Sequence, residues 1–338
     1  MSGKNSVKPA KNNSAVQEYF IARLKQSVPP GIGLAEEMAD ILDVSIDSAY
    51  RRIRGETALT LEEIYLIARK YNISVDEVFS SRSDTVTFAY TKLTDSVKNF
   101  QDYFDRIIGH LRTISKFGDG HIYYVAEEMP LFYSFFSKKL TAFKLFYWQR
   151  GVLNVPDYQH AKFSWDLIPQ DLINTAHESF KEYLNVASTE VWSEETVFTG
   201  LRQIKFYFDS GLVSREQALE LLTDYKTMLE MVQRNATSGR KNVSDKKETY
   251  LLYNSEVMLG TNCIYIKMGE ARYSYISFNT MNSLTTSNPE FCEETEHWIR
   301  NLEKKSTLIS GVAEKQRYQF FSKMFRHVDD TTHYIKSN

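Results

Sequence analysis

One segment, residues 34–56 (LAEEMADILDVSIDSAYRRIRGE), constrains the fold of this chain more than any other. Its inward positions recur at helical spacing around a four-residue turn and are Met38, Ala39, Leu42, Val44, Ala49 and Ile53. Ala39 is small where a second helix must cross closely, and Asp43 tolerates the left-handed backbone that such a turn requires. Ser45 is a preferred residue for capping the second helix. The segment therefore predicts two short helices that cross at a steep angle.

Two capping boxes downstream place further helix starts. Thr60 with Glu63, and Ser74 with Glu77, each fit the pattern in which a hydroxyl and a carboxylate satisfy free amides at a helix start. We expect a five-helix helix-turn-helix domain over residues 16–80, preceded by a flexible polar arm over 1–15 and followed by a short polar linker.

The same stretch carries a resemblance to a known family. From residue 34 through Gly55 and TLEEIYLIARKYNISVDEVF to Phe79, the sequence resembles the Cro-type helix-turn-helix family, often called XRE, over about a fifth of the chain. Two positions depart from the family pattern: Asp43 stands where glycine is usual, and Arg52 where an apolar residue is usual. The resemblance implies a sequence-specific DNA-binding transcriptional regulator with double-stranded DNA as its partner.

The motif assigns seven residues to the DNA interface: Ile46, Asp47, Ser48, Tyr50, Arg51, Arg52 and Arg54. Arg51 is the expected base reader, because arginine pairs bidentately with guanine. Arg52 and Arg54 are expected at phosphates. Asp47 has two alternatives, acceptance from a cytosine amine or a favourable charge in the first turn of the helix.

Beyond this domain the sequence predicts a mainly α fold, with a central helical bundle over residues 85–238 and a small C-terminal α+β module over 249–330. Tyr-, Ile- and Val-rich runs at 250–258, 263–268 and 273–278 predict a three-stranded antiparallel meander. Two helices should close the chain, the first capped by Asn288 with Pro289 at its first position.

A heptad seam lies at the start of the central region. Its apolar positions are Leu93, Val97, Phe100, Phe104, Ile107, Leu111 and Ile114. Such a seam is typical of a dimerisation helix, here over residues 92–116, or of packing inside the chain's own bundle, and both alternatives stay open. We expect a homodimer, because helix-turn-helix proteins usually share two-fold symmetry with their sites.

The composition narrows the classes of function. The formal net charge is −2, and residues 16–79 contain seven Lys or Arg against eleven Asp or Glu, so DNA contact requires a local basic patch. No metal-ligand cluster, phosphate loop or activated nucleophile stands out, so we expect neither an enzyme nor a cofactor. With two cysteines and no apolar run of membrane-span length, we expect a cytoplasmic protein without a membrane partner.

The region after residue 85 leaves the wider role open. One aromatic cluster predicts core packing, or alternatively a ligand pocket. Its members are Phe132, Phe135, Phe136, Phe143, Phe146, Tyr147 and Trp148. A small-molecule or protein effector could therefore act at the C-terminal region of a regulator, either a repressor or an activator. The alternative function is a protein-interaction scaffold whose helix-turn-helix contacts a protein.

Overall fold

The computed structural model describes residues 13–28, 32–71, 73, 75, 85–91, 93, 97–242 and 249–338. Contacts divide the chain into two compact units, Met1–Thr87 and Phe88–Asn338. The linker predicted after residue 80 and most of the predicted fifth helix of the N-terminal domain lie outside the described residues, as does the predicted arm up to residue 12.

The first unit contains four described helices around a small core. They are α1 Asn13–Ser27, α2 Leu34–Leu42, α3 Ile46–Ile53 and α4 Leu61–Tyr71. Phe20, Leu24, Met38, Ala49 and Ile67 are almost fully buried, so each helix contributes to this core. Because α1 begins at residue 13, the last three residues of the predicted arm are helical instead.

The second unit is built on one mixed eight-stranded sheet. Its strands are β1 Ala89–Tyr90, β2 His121–Ala126, β3 Ala187–Trp192, β4 Tyr250–Asn254, β5 Cys263–Met268, β6 Ala271–Phe278, β7 Asn282–Thr286 and β8 Thr307–Leu308. The spatial order is β1-β7-β6-β5-β2-β3-β4-β8. Strands β2, β3 and β4 are parallel to one another, whereas every other neighbouring pair is antiparallel.

Helices cover both faces of this sheet. They are α5 Val97–Lys116, α6 Lys138–Tyr147, α7 Pro156–Gln159, α8 Gln170–Leu184, α9 Phe198–Asp209, α10 Arg215–Ser238, α11 Pro289–Lys304 and α12 Glu314–Ser337. Successive residues of β2 face opposite sides: Ile122 and Tyr124 join the large core with most helices, while Tyr123 and Val125 join a smaller core with α11. Within the described ranges, no helix combines the length and apolar content needed to cross a bilayer.

The expected mainly α fold with a separate bundle and a small α+β module is wrong. Strands β2 and β3 come from the region predicted as a helical bundle, yet they pair in the centre of the same sheet as the C-terminal strands. Both strands are buried on both faces, so they lack the polar alternation that marks a half-exposed strand. The predicted meander is also shifted: β5, β6 and β7 form it, whereas β4 lies parallel to β3.

The heptad seam packs inside the chain. Phe100, Phe104, Leu111 and Ile114 of α5 are buried in the large core that also contains the sheet. The hydroxyl of Tyr103 on the same helix donates to the carbonyl of Met281 at 2.8 Å. Of the two alternatives for this seam, the structure therefore shows the intramolecular one.

A buried carboxylate connects β3 to three other segments of the second unit. Glu190 accepts hydrogen bonds from the hydroxyls of Tyr133 at 2.9 Å, Tyr183 at 2.6 Å and Tyr250 at 3.1 Å. The ammonium of Lys241 lies over the ring of Tyr183 and donates to its carbonyl at 2.8 Å. Burial raises the pKa of Glu190, while the charge of Lys241 and the three hydroxyls act in the opposite direction.

We expect Phe104→Ala to lower the free energy of unfolding of the second unit by about 3–5 kcal/mol, because it leaves a cavity in a fully packed core. All four tryptophans lie after residue 88, so urea unfolding followed by tryptophan fluorescence reports on this unit alone. The exposed neighbour Arg106 supplies the control, Arg106→Ala, with an expected change within about 0.5 kcal/mol. Equal stability of Phe104→Ala and wild type would contradict the intramolecular packing.

Candidate nucleic-acid interface

The turn between α2 and α3 has the geometry predicted from its residues. Asp43 has φ 50° and ψ 50°, in the left-handed region, and the N–H of Val44 donates to the carbonyl of Ala39 at 3.0 Å. Ser45 then caps α3, since its hydroxyl accepts from the N–H of Ser48 at 3.2 Å. Three residues thus reverse the chain and start the second helix.

The inward positions of this motif pack as expected. Met38 and Ala49 are fully buried, and Ala39, Leu42, Val44 and Ile53 are partly buried against the same core. The burial of Ala49 fixes the rotation of α3 about its own axis. Because successive side chains project about 100° apart around a helix, the directions of the other side chains on α3 are then determined. The opposite face of α3 must therefore point outward.

That outward face holds five of the seven predicted interface residues. Ile46 is 50% exposed and Tyr50 is 49% exposed, and the remaining three, Asp47, Arg51 and Arg54, are exposed as well. At about 100° per residue these five positions cover a continuous arc of about 140°. We call this set the α3 outward face.

The two arginines of the α3 outward face share one carboxylate. Arg54 Nε lies 2.8 Å from Glu56 Oε1, and Arg51 Nε lies 3.9 Å from Glu56 Oε2. All three side chains are about half exposed, so these contacts are weak and easily exchanged for other anions. Sequence reasoning did not assign a role to Glu56.

Ser48 and Arg52, the other two predicted residues, lie outside this arc and are only partly exposed. The hydroxyl of Ser48 accepts from the hydroxyl of Ser45 at 2.9 Å, so Ser48 is part of the helix cap. Arg52 donates from Nε and Nη2 to Glu63 Oε1, at 3.1 and 2.8 Å, and from Nη1 to the carbonyl of Ser48. Because both side chains of the Arg52–Glu63 pair are only 16% exposed, this arginine holds α3 to α4 and does not extend toward a phosphate.

Glu63 has two roles at once. Besides accepting from Arg52, it accepts from the N–H of Thr60 at 3.0 Å, and its own N–H donates to the Thr60 hydroxyl, which confirms the predicted capping box. Partial burial raises the pKa of Glu63, but hydrogen bonds from Arg52 and Thr60 outweigh it and lower that pKa overall. The capping signal predicted the glutamate, whereas its pairing with Arg52 was not predicted.

Gln17 of α1 fixes the chain that follows α3. Its amide nitrogen donates to the carbonyls of Arg52 at 2.7 Å and Thr57 at 2.9 Å, and its amide oxygen accepts from the N–H of Leu59 at 3.0 Å. The partners are 35 to 42 residues away, so no local pattern indicates this contact.

The described helices of the first unit thus form a helix-turn-helix-like domain that exposes one arginine-bearing face. Residues 19–101 match the family model of the BetR domain, about a quarter of the chain. This match agrees with a helix-turn-helix-like domain and a regulatory role, and it does not specify the Cro type. No curated protein and no solved structure gives a significant match to the chain.

We expect Arg52→Met and Glu63→Gln to be coupled by about 1–2 kcal/mol in a double-mutant cycle, because the pair is mostly shielded from water. Hydrogen exchange of the amides in α3 and α4 measures this local stability. The exposed Arg54 and Glu56 pair is the matched control, with expected coupling of about 0.5 kcal/mol or less.

The same pair predicts a pH dependence. Folding lowers the pKa of Glu63 from its ordinary 4.5, so its contribution is complete above that value and is lost as pH falls through the folded pKa. In Glu63→Gln, amide protection in α3 should lose this acid-dependent part. Identical acid profiles for wild type and Glu63→Gln would contradict the assignment.

Proposed function

We propose that this protein is a sequence-specific DNA-binding transcriptional regulator of the Cro type and is not an enzyme. The observation that carries the proposal is the α3 outward face. It combines two arginines and two large half-exposed side chains on a helix whose other side is fixed by buried contacts. A preorganised helix of this kind suits insertion into the major groove.

Within this proposal the arginines have separate tasks. Arg51 reads a base, because it is exposed on α3 itself and arginine pairs bidentately with guanine. Arg54 follows the last residue of α3 and contacts phosphate. In the free protein both arginines contact the Glu56 carboxylate. Each of them must give up this contact in order to bind an anionic group of DNA.

The C-terminal unit is proposed as the sensing or interaction region of the regulator. Its eight-stranded sheet and two cores give it a substantial structure of its own. Cys263 and Cys292 are both buried and form no disulfide, which suits a reducing cytoplasm as the proposed place of action.

A second candidate is a protein-interaction scaffold. Ile46 and Tyr50 expose apolar surface on the same face, and seven basic against eleven acidic residues make the segment 16–79 net acidic. Apolar and aromatic side chains of this kind are also typical of protein interfaces. Binding to DNA of any sequence distinguishes the two candidates, because a scaffold would retain no affinity for duplex DNA.

We expect the protein to be a homodimer when bound to its operator, with a contact other than the α5 seam, which is buried in each chain. Light scattering coupled to size exclusion should give, for the complex, the mass of the operator duplex plus twice the chain mass of 39.3 kDa. A single chain per operator would rule out the dimer.

We expect Arg51→Ala to weaken operator binding by about 1–3 kcal/mol and to flatten preference at one base pair in each half-site, because a base contact carries sequence information. An operator would first be selected from a random DNA pool. Binding isotherms on operator and scrambled DNA then give the loss of discrimination. Equal weakening on both DNAs would show that Arg51 does not read a base.

We expect Arg54→Ala to leave base preference intact. The variant should lower the slope of log affinity against log salt concentration by about one unit per subunit, because the loss of one phosphate contact means that fewer counterions are released on binding. Lys25→Ala, at an exposed lysine on α1, is the matched control and should leave both quantities unchanged. A change of base preference in Arg54→Ala would mean that α3 lies differently in the groove.

A further inference from the structure

Helix α4 of the first unit exposes large apolar side chains. Leu61 is 75% exposed, Tyr65 58% and Leu66 45%, whereas Ile67 and Ala68 on the opposite side of the helix are buried in the core. Three such side chains on a helix of eleven residues form one continuous apolar patch. A patch of this kind on a protein surface is typical of an interaction site.

Two charged residues lie on the same surface. Glu62 and Arg69 are exposed, and among the described ion pairs none includes either of them, whereas the neighbouring Lys70 pairs with Glu37 at 2.6 Å. Seven residues separate Glu62 from Arg69, which is too far for the two to pair with each other along the helix. Both charges are therefore available to a partner. We call this surface the α4 exposed face, and its residues are Leu61, Glu62, Tyr65, Leu66 and Arg69.

Helix geometry sets the pattern of this face. At about 100° per residue, Glu62 and Arg69 lie within about 20° of each other around the axis and about 10 Å apart along it. Tyr65 and Leu66 lie halfway between them along the axis, one on each side of the line that joins the two charges. Leu61 extends the apolar surface on the side of Tyr65. The α4 exposed face thus has a central line of two opposite charges with apolar surface on both sides.

This pattern is self-complementary for two antiparallel copies. A two-fold axis that crosses the helix between Tyr65 and Leu66 brings Glu62 of one copy opposite Arg69 of the other, and the symmetry repeats this pair. Tyr65 and Leu66 then each face their own counterparts. A parallel arrangement would instead place Glu62 against Glu62 and Arg69 against Arg69, and like charges in these positions repel. The charges therefore favour a second copy of this chain in one arrangement.

The size of the face limits the strength of such a pairing. Helix α4 has eleven residues, so it is about 16 Å long. A stable interface buries about 800 Å² per partner, which is more than one face of so short a helix supplies. We therefore expect a weak, reversible dimer in free solution. Two chains held side by side on DNA would pair more completely, because their local concentration is then high.

We propose that the α4 exposed face is a homodimer interface, in which two copies pair antiparallel through Glu62 and Arg69, with Tyr65 and Leu66 packed between the two charge pairs. This interface supplies the contact between subunits that is expected on an operator, and that use rests on the proposed function. The pairing itself requires no DNA and is measurable without it.

Sedimentation equilibrium of the full chain without DNA tests the proposal, at low salt and between about 10 µM and about 1 mM protein. The wild-type chain should show a reversible monomer–dimer equilibrium. Glu62→Arg and Arg69→Glu should each weaken this dimer at least tenfold, because each places like charges opposite one another twice across the two-fold axis. A wild-type chain that stays monomeric throughout, or a dimer of unchanged strength in either variant, would overturn the proposal.

An equimolar mixture of the two variants gives the sharper test. In a heterodimer of Glu62→Arg with Arg69→Glu, the introduced arginine faces the introduced glutamate, and the two unchanged residues face each other. The mixture should therefore dimerise with about the wild-type strength, within about threefold. A loss of dimerisation that came from damaged folding could not be reversed by mixing. Failure of the mixture to dimerise would rule out the charge pairing and with it the proposal.

Matched controls come from α1 and from the apolar part of the face. Glu18 and Lys25 are also exposed and seven residues apart, so Glu18→Arg and Lys25→Glu should leave the dimer unchanged. All four charge variants should keep the wild-type melting temperature, since the side chains are on the surface. Tyr65→Ala should weaken the dimer as well, and it replaces a charge variant that does not fold. Unchanged dimerisation of Tyr65→Ala would place the contact elsewhere and contradict the proposal.

DNA binding of the same proteins separates the two proposals. A wild-type chain that dimerises through α4 but does not bind duplex DNA leaves the interface standing and removes the regulator. A chain that binds its operator with the same strength in wild type and in both charge variants, and is monomeric in free solution, removes only the interface.

Discussion

The pairing of β2 with two different neighbours holds the second unit together. Six residues of β2 pair in parallel with β3, and five pair in antiparallel with β5. Without β2 the sheet would separate into two parts, β1-β7-β6-β5 and β3-β4-β8. The strand also supplies alternate side chains to both cores. The continuity of the sheet and the packing of both cores therefore depend on the same short segment.

The first unit depends on polar contacts between distant residues to present α3. Its apolar core is small, and three contacts outside that core fix the helix: the Ser45 cap, the Arg52–Glu63 pair, and Gln17 bonded to the chain after α3. The Gln17 and Arg52 contacts satisfy groups that would otherwise be partly buried without partners, whereas the Ser45 cap is exposed and satisfies the start of the helix. The α3 outward face, proposed above to bind DNA, is the side of the helix that these contacts leave exposed.

Much of the first unit could be predicted because its signals are local. The left-handed Asp43, the Ser45 cap and the Thr60 capping box each depend on residues a few positions apart, and all are present. The second unit was mispredicted because its order is non-local. β3 pairs with strands about 60 residues away on either side, and a sequence with no alternation does not reveal which strands will meet. Arg52 shows the same limit at a single residue, since its partner Glu63 is on another helix.

The two ends of the sheet, β1 and β8, have only two residues each. A long free edge exposes a row of unpaired amides and carbonyls, which can recruit a strand from another molecule. Edges this short offer too few such groups for stable strand addition. Among the described residues, growth of the sheet from one molecule to the next is thus limited at both ends.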